Sequence, residues 1–549
     1  MRFPRKVSYC LLSALVLASW FFRYPLGFGH EAGSDTTFVH SLANSLVAEG
    51  RALWILHPTS YFGLYALSYP SAMPFLLAGV SSLGGLPIEG AILLMGFAFG
   101  AVGALSAFTA TRSATGDDRF ALIVALLFST APFFIKDTTW IGSSRGYVTA
   151  LVPAVFLVLL LHLRKGDVRF LLIAVLLVAT MSAFHRMGIL TIFVLIAYLF
   201  AVPFHRITQK LRFELFRYEG AFRFVATGSA VAGFFILFYV QFLFPGVAGP
   251  NVVEEYGSGT FLTGSTFPIL LTNMVVSLAG KVGVLLPLAA LGLVRFAWKR
   301  PKENRDKFFL VAAFTMIPLL SLRDYIAEFL VFVFVVFVAF AFLPKRKRVG
   351  RAQVAALGLT ALLVVSSVAM SWFMKDYWRE RYYTDSAMTD ELYTVGLYAR
   401  WQTLGNLVAN EGMMAGRVTA IADRPVLPIG GASTHWWGPQ QLTFGFVDGG
   451  SVAVQQIPLT QITFQTDEIF VPVGIPNAKD GYEAIFYGLY GDRQVERTLL
   501  QYEIRYVVVT DARPTEFLSY IWRSSPFLVG VAQQSYKVYD SGVNSVWRV

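Results

Sequence analysis

Ionisable side chains are scarce in the first two thirds of this sequence, and they are gathered in a few places. One stretch, between the apolar run ending at Trp20-Phe21-Phe22 and another starting near Tyr69, carries His30, Glu31, Asp35, His40, Glu49, Arg51 and His57. A second group is Lys136, Asp137, Trp140 and Arg145; a third is His185-Arg186; a fourth is Arg323-Asp324, with Glu328 just beyond. A carboxylate within reach of an acceptor group can act as a general base. Guanidinium and imidazolium groups fit the oxygens of a phosphate. The candidate bases are therefore Asp35 and, with about half its weight, Glu31; the candidate anion-binding residues are Arg145, His185, Arg186 and Arg323. His40 and His57 do not have the spacing of zinc ligands.

The elements that carry these residues follow from composition. The chain has 549 residues, of which 55% are apolar and only 14% charged, with a mean hydropathy of +0.57. Soluble globular chains carry about 25% charged residues. This chain is neither disordered nor an ordinary soluble enzyme, and its long apolar blocks make it a polytopic membrane protein. The net charge of +11 is not a nucleic-acid signature. Residues 375–549 hold 14 Lys+Arg against 18 Asp+Glu, whereas residues 1–374 hold 31 against 16. The basicity thus belongs to the apolar part, where it reports orientation.

Eleven spans are expected: Val7–Phe22 and about 88–111, 120–136, 147–163, 170–184, 188–204, 224–245, 275–298, 308–322, 326–343 and 352–373. No small-residue cleavage site follows the first, which reads as an uncleaved helix. The Pro-containing stretch Tyr69–Leu86 is expected to lie along the outer membrane face. Counting it as a span would place the basic loops on the wrong side. With it excluded, 24 Lys+Arg fall on cytoplasmic segments and seven on outer or embedded ones, in line with the positive-inside rule.

Eleven spans from a cytoplasmic N-terminus divide the chain into a membrane domain, 1–374, with a long first outer loop, 23–87, and an exported soluble α/β domain, 375–549. In the latter, Arg417-Val-Thr-Ala-Ile-Ala422, Ile469-Phe-Val-Pro-Val473 and Arg505–Thr510 read as strands. Residues 387–410 and 482–502 read as helices, and Tyr536–Arg548 as a hairpin turning at Ser541-Gly542. The lone Cys10 excludes an intramolecular disulfide, and no Asn-x-Ser/Thr sequon occurs. There is no nucleophile elbow, zinc-protease motif or phosphate-binding Gly-rich loop.

This layout resembles the GT-C-type glycosyltransferases, with their N-terminal span and long first outer loop bearing an acidic residue near its start. Tyr69-Pro-Ser-Ala-Met-Pro-Phe75 resembles their Tyr-Pro-Pro-Gly-like segment. Phe128-Ser-Thr-Ala-Pro-Phe-Phe134 resembles the outer end of their third span, and Leu499–Thr510 the tail of prokaryotic members. The resemblance implies sugar transfer from a polyprenyl-phosphate or -diphosphate donor to a protein or glycan acceptor on the outer membrane face. Two motifs depart from the family. His435-Trp436-Trp437-Gly438 lacks the Asp that follows the Trp pair in the oligosaccharyltransferase branch. Glu31 and Asp35 stand four apart, where the protein O-mannosyltransferases have an adjacent Asp-Glu pair. Neither subfamily is assigned.

Each site residue also has a plainer reading. Asp35 precedes a helical run and suits an N-cap; its functional reading is a base or a ligand for a divalent cation such as Mg or Mn. Arg145, His185 and Arg186 suit snorkelling to lipid headgroups, and Arg323-Asp324 suits an internal ion pair. Lys281, inside a span, needs a cavity or a partner. Trp436 and Trp437 suit either an acceptor surface or domain docking. The expectation is that Asp35, Arg145, Arg186 and Arg323 converge on one outer cavity beside the 69–86 helix. The rival class is a lipid or polymer transporter or an envelope-assembly scaffold; transporters commonly show internal repeats and mid-membrane charge, and neither is found here.

Overall fold

The computed structural model describes residues 4–25, 29–50, 72–201, 278, 280–298, 304–317, 320, 325–342, 358, 361–362, 364–373, 388–422, 426–427, 478–511 and 524–549. The helices are α1 (Arg5–Arg23), α2 (Ser34–Glu49), α3 (Ala72–Gly84), α4 (Ile88–Thr115), α5 (Asp118–Ser129), α6 (Pro132–Lys136), α7 (Arg145–Lys165), α8 (Arg169–Phe184) and α9 (Ile192–Ala201). There follow α10 (Leu286–Trp298), α11 (Asn304–Met316), α12 (Ile326–Phe342), α13 (Asp390–Gln402), α14 (Gly412–Ala422), α15 (Ala478–Phe486), α16 (Arg493–Gln501) and α17 (Pro526–Gln534). The strands are β1 (Asn406–Ala409), β2 (Val426–Leu427), β3 (Ile504–Thr510), β4 (Tyr536–Asp540) and β5 (Asn544–Arg548). The chain divides into two compact units. One comprises Met1–Arg23, Phe97–Asp137 and Arg145–Asp376; the other comprises Tyr24–Gly96, Thr138–Ser144 and Tyr377–Val549.

The first unit is built of apolar helices. Among the described residues, three helical stretches, Lys6–Arg23, Ile88–Thr115 and Arg145–Lys165, are long and apolar enough to cross a membrane. At about 1.5 Å per residue, helices of 18 residues or more reach most of the way across a ~30 Å hydrocarbon layer. The expected span over 120–136 is interrupted: α5 stops at Ser129, and Pro132 opens the short α6. Proline has no N–H to continue the helix above it. Likewise the 188–204 stretch starts as a 3-10 turn, Arg186–Thr191, before α9. The expected span over 224–245 lies outside the described residues.

The second unit combines the first loop with the C-terminal segment. Its five-stranded sheet has the order β2-β1-β3-β5-β4. β1 is parallel to β2 and β3, and β5 is antiparallel to β3 and β4. Both faces are covered. Val408 and Val507 pack with Ile485, Phe486, Val495, Phe527 and Leu528; Leu407 and Val508 pack with Leu392, Val395, Met414, Val418 and Ile421. A strand so enclosed reads as a continuous apolar run, as Tyr506–Val509 does. β3 and the β4–β5 hairpin lie where the sequence pattern puts them, and Gly542 takes the left-handed turn (φ 92°).

Arg417–Ala422, expected as a strand, is instead the second half of α14. Ala415, Val418 and Ile421 recur at helical spacing and face the sheet, and the Glu411 carboxylate caps the helix by accepting from the Met414 N–H. The helix expected over 387–410 ends at Gln402, because Gly405 takes φ 104° and the chain enters β1. The 482–502 helix is two helices: Gly491 turns at φ 86° and the Asp492 carboxylate caps the second by accepting from Gln494 N–H. The 469–473 strand lies outside the described residues. α3, at 13 residues, covers about 20 Å, less than a bilayer core. It packs against α2 through a face including Met73, Leu77 and Ser81.

Candidate functional site

In the second unit the first-loop acids surround the start of α2. Gly33 (φ 97°) occupies the N-cap, so Asp35 is not the cap; it stands in the first turn, half-buried. A carboxylate there is favoured by the exposed N–H groups of a helix start. The Ser143 hydroxyl approaches Asp35 Oδ2 at 3.5 Å. The segment carrying Ser143 is pinned to the same turn. Gly142 N–H donates to Thr36 Oγ1 (2.9 Å), Ala32 N–H donates to Trp140 O (3.2 Å), and the Trp140 indole donates to Glu89 O (3.0 Å). Trp140 itself takes φ 51°, a conformation that costs a non-glycine residue free energy.

Glu31 is only 1% exposed. One oxygen meets His40 Nδ1 at 2.7 Å. The other, Oε2, is buried and has no hydrogen-bond partner among the described residues. Burial pushes this carboxyl above the usual carboxylate range; His40 pulls it back and the nearby Glu89 adds to the rise. Next to it, His30 Nδ1 lies 2.8 Å from Glu89 Oε1 and Nε2 lies 3.2 Å from Asp390 Oδ1. Asp35 is thus the more accessible of the two acids, while Glu31 sits inside a polar network.

In the first unit, Arg145 and His185 are brought together. The guanidinium carbon is 5.0 Å from the centre of the Tyr325 ring, and the His185 ring meets the same tyrosine edge-on at 5.9 Å. Lys281 has a partner: its ammonium lies 3.3 Å from Glu328 Oε1, and Thr149 donates to Oε2 at 3.2 Å. Arg145 and Asp137 are close enough to act on the Glu328 charge. Arg186 opens the 3-10 turn, but its side chain, like Arg323, Trp436 and Trp437, lies outside the described residues.

The residues that the sequence did not single out are Glu89, Asp390 and Tyr393. Their grouping depends on contacts between segments up to 363 positions apart, which no local pattern announces. Among the described residues, no three His, Cys, Asp or Glu side chains are grouped as ligands for a divalent cation.

No protein-family model matches the sequence, and no curated protein does either. Solved structures do match. The oligosaccharyltransferase AglB from Archaeoglobus fulgidus, in complex with an inhibitory peptide and a dolichol-phosphate, superposes with a TM-score of 0.55 at 13% identity, over 92% of this chain and 69% of that one. The arabinofuranosyltransferase AftD from mycobacteria gives 0.51 at 17%, over 100% and 42%. ArnT from Cupriavidus metallidurans, bound to undecaprenyl phosphate, gives 0.50 at 12%, over 98% and 97%. The chain has a GT-C fold. These three proteins share this arrangement of helices with it, at sequence identities where only the fold is common ground.

Proposed function

We propose that the protein is a membrane glycosyltransferase that moves a sugar from a polyprenyl-phosphate or -diphosphate donor to a protein or glycan acceptor on the outer membrane face. The observation that carries this reading is the half-buried Asp35 carboxylate in the first turn of α2, beside the buried Glu31–His40 pair, in a chain of GT-C fold. AglB was solved with a dolichol-phosphate and a peptide, and ArnT with undecaprenyl phosphate. Both support a polyprenyl phosphate as the donor's lipid, and AglB supports a peptide acceptor.

In this reading an acceptor hydroxyl or amide attacks the anomeric carbon and loses its proton to Asp35. The bond from that carbon to the phosphate oxygen breaks, and its electron pair leaves with the lipid phosphate. Arg145, His185, Arg186 and Arg323 are assigned to that growing charge, since fixed cations in a water-poor site stabilise it more than solvent does. The assignment requires these cations and Asp35 to meet at one outer cavity. It also puts the N-terminus in the cytoplasm, 375–549 outside, and Trp436-Trp437 at the acceptor side.

Purified protein given a polyprenyl-phosphate sugar and candidate peptide or glycan acceptors should release free polyprenyl phosphate and form a glycosylated product. Full transfer by the Asp35→Ala, Glu31→Ala double variant would overturn the site; no transfer from any polyprenyl-linked sugar would overturn the function.

A further inference from the structure

We infer that His30 is a positioning residue: a clasp through which the start of α13 holds Glu31, and with it the turn that presents Asp35. This rests on the function proposed above. Two segments converge on residues 30 and 31. Glu89, in the first turn of α4, takes both the His30 ring (2.8 Å to Nδ1) and the Glu31 backbone N–H (3.3 Å) on one oxygen. Asp390, the first residue of α13, faces the other ring nitrogen at 3.2 Å. Met388, two residues earlier, donates its N–H to the Glu31 carbonyl at 3.1 Å.

The ring itself is covered. Tyr393, one turn further along α13, stacks on it with centroids 3.8 Å apart and planes inclined by 19°. The backbone is pressed just as closely, since a Cβ at Gly29 would lie 2.6 Å from Asp390 Oδ1. With both nitrogens facing carboxylates and one face stacked, neither nitrogen of His30 is open to a substrate. Its influence runs through its neighbours. The imidazolium form can donate to Glu89 and Asp390 together, whereas a neutral ring can donate to only one. The Glu89 contact is the stronger: its side chain is 11% exposed and that of Asp390 81%, so water and salt screen the second pair far more.

A clasp of this kind controls the rate and not the grip on the lipid. Small displacements of a reacting group can cost up to ~100-fold in rate. In full-length purified protein, His30→Ala should lower kcat about 10- to 100-fold and leave KM for the polyprenyl-phosphate sugar within about twofold of the unsubstituted protein. His30→Gln keeps an amide donor toward Glu89 and should recover most of the rate; Asp390→Asn should cost less than about threefold. Amide hydrogen exchange supplies a readout that does not need activity. The N–H groups of Glu31 and Met388 should exchange faster together in His30→Ala, and should be unaffected by Asp35→Ala. An unchanged kcat in His30→Ala, a loss carried by KM, or no acceleration at Met388 would each overturn the clasp. If the unsubstituted protein transfers no sugar, the functional reading falls by itself, and coupled exchange at Glu31 and Met388 still decides whether His30 joins the two segments.

Discussion

The two units use the same residue types under opposite conditions. Around α2, carboxylates, imidazoles and backbone groups satisfy one another at close range, and Asp35 is left partly open to solvent. Among the apolar helices, the described charges lean on a counter-charge or an aromatic face: Lys281 on Glu328 and Phe133, Arg145 on Tyr325. Charge is costly in hydrocarbon, so a helical unit keeps it only where a partner compensates the desolvation. On the proposed function, the polar loop holds the reactive acid in a half-wet position and the helical unit supplies the cations assigned to the phosphate. Chemistry and counter-charge are separate design problems here.

The sharpest way to break this contrast is at Asp35. Asp35→Ala should lower transfer by about 10²- to 10⁴-fold, the range for a lost general base, with unfolding temperature unchanged. A large loss of stability together with the rate would make Asp35 a structural acid like those in the other unit.

The next effect belongs to the helical unit. Glu328→Ala removes the acceptor of the part-buried Lys281 and of the buried Thr149 and should destabilise the protein by about 1–3 kcal/mol. The double variant Glu328→Ala, Lys281→Met should regain much of this, as measured by thermal unfolding in detergent. Failure of the second substitution to rescue would show that Lys281 does not depend on Glu328 for compensation.

Glu31 offers a smaller test with a definite sign. Its carboxyl is raised in the folded protein, so the folded state binds the proton more tightly than the unfolded one. That contribution is complete below the ordinary carboxyl range and fades as pH rises through the folded value. Glu31→Gln should flatten the loss of stability as pH rises above 4.5, the group's ordinary value. A curve of unchanged slope would mean that the His40 contact outweighs burial. Ser143→Ala should have the least effect, under about threefold in rate, because a 3.5 Å contact is at the limit of a hydrogen bond.

How much of this was legible depended on distance along the chain. The clustering of His30, Glu31, Asp35 and His40 is visible by eye, and the structure keeps these residues around one helix start. Arg145 and His185 stood out by residue type alone; that both pack against Tyr325 did not. Glu89 looked like an ordinary first residue of an apolar span; only folding brings it to His30. Asp390 and Tyr393 lie so far downstream that nothing local ties them to the first loop. Asp35 was misplaced by one step of logic: its preference for N-caps is real, but Gly33 already provides the non-helical φ that the cap needs. Arg417–Ala422 misled because its β-branched residues mimic a strand; the buried positions Ala415, Val418 and Ile421 recur at a helical period that a six-residue window is too short to show.

The order of strands in the sheet has a consequence for synthesis. β3 is the longest strand among the described residues, and its two neighbours come from far apart: β1 some hundred residues before it and β5 about forty after. The Val549 N–H also closes on the Arg505 carbonyl. Until Asn544–Arg548 has been made, one edge of β3 presents unpaired backbone over an apolar face, the kind of edge that recruits other strands. The ribosome delivers residues at about 5–20 per second, so this edge is open for seconds in every molecule made. Chains that stop short of position 544 keep it open permanently, and their fate is to be a matter of aggregation and proteolysis long before sugar transfer is in question.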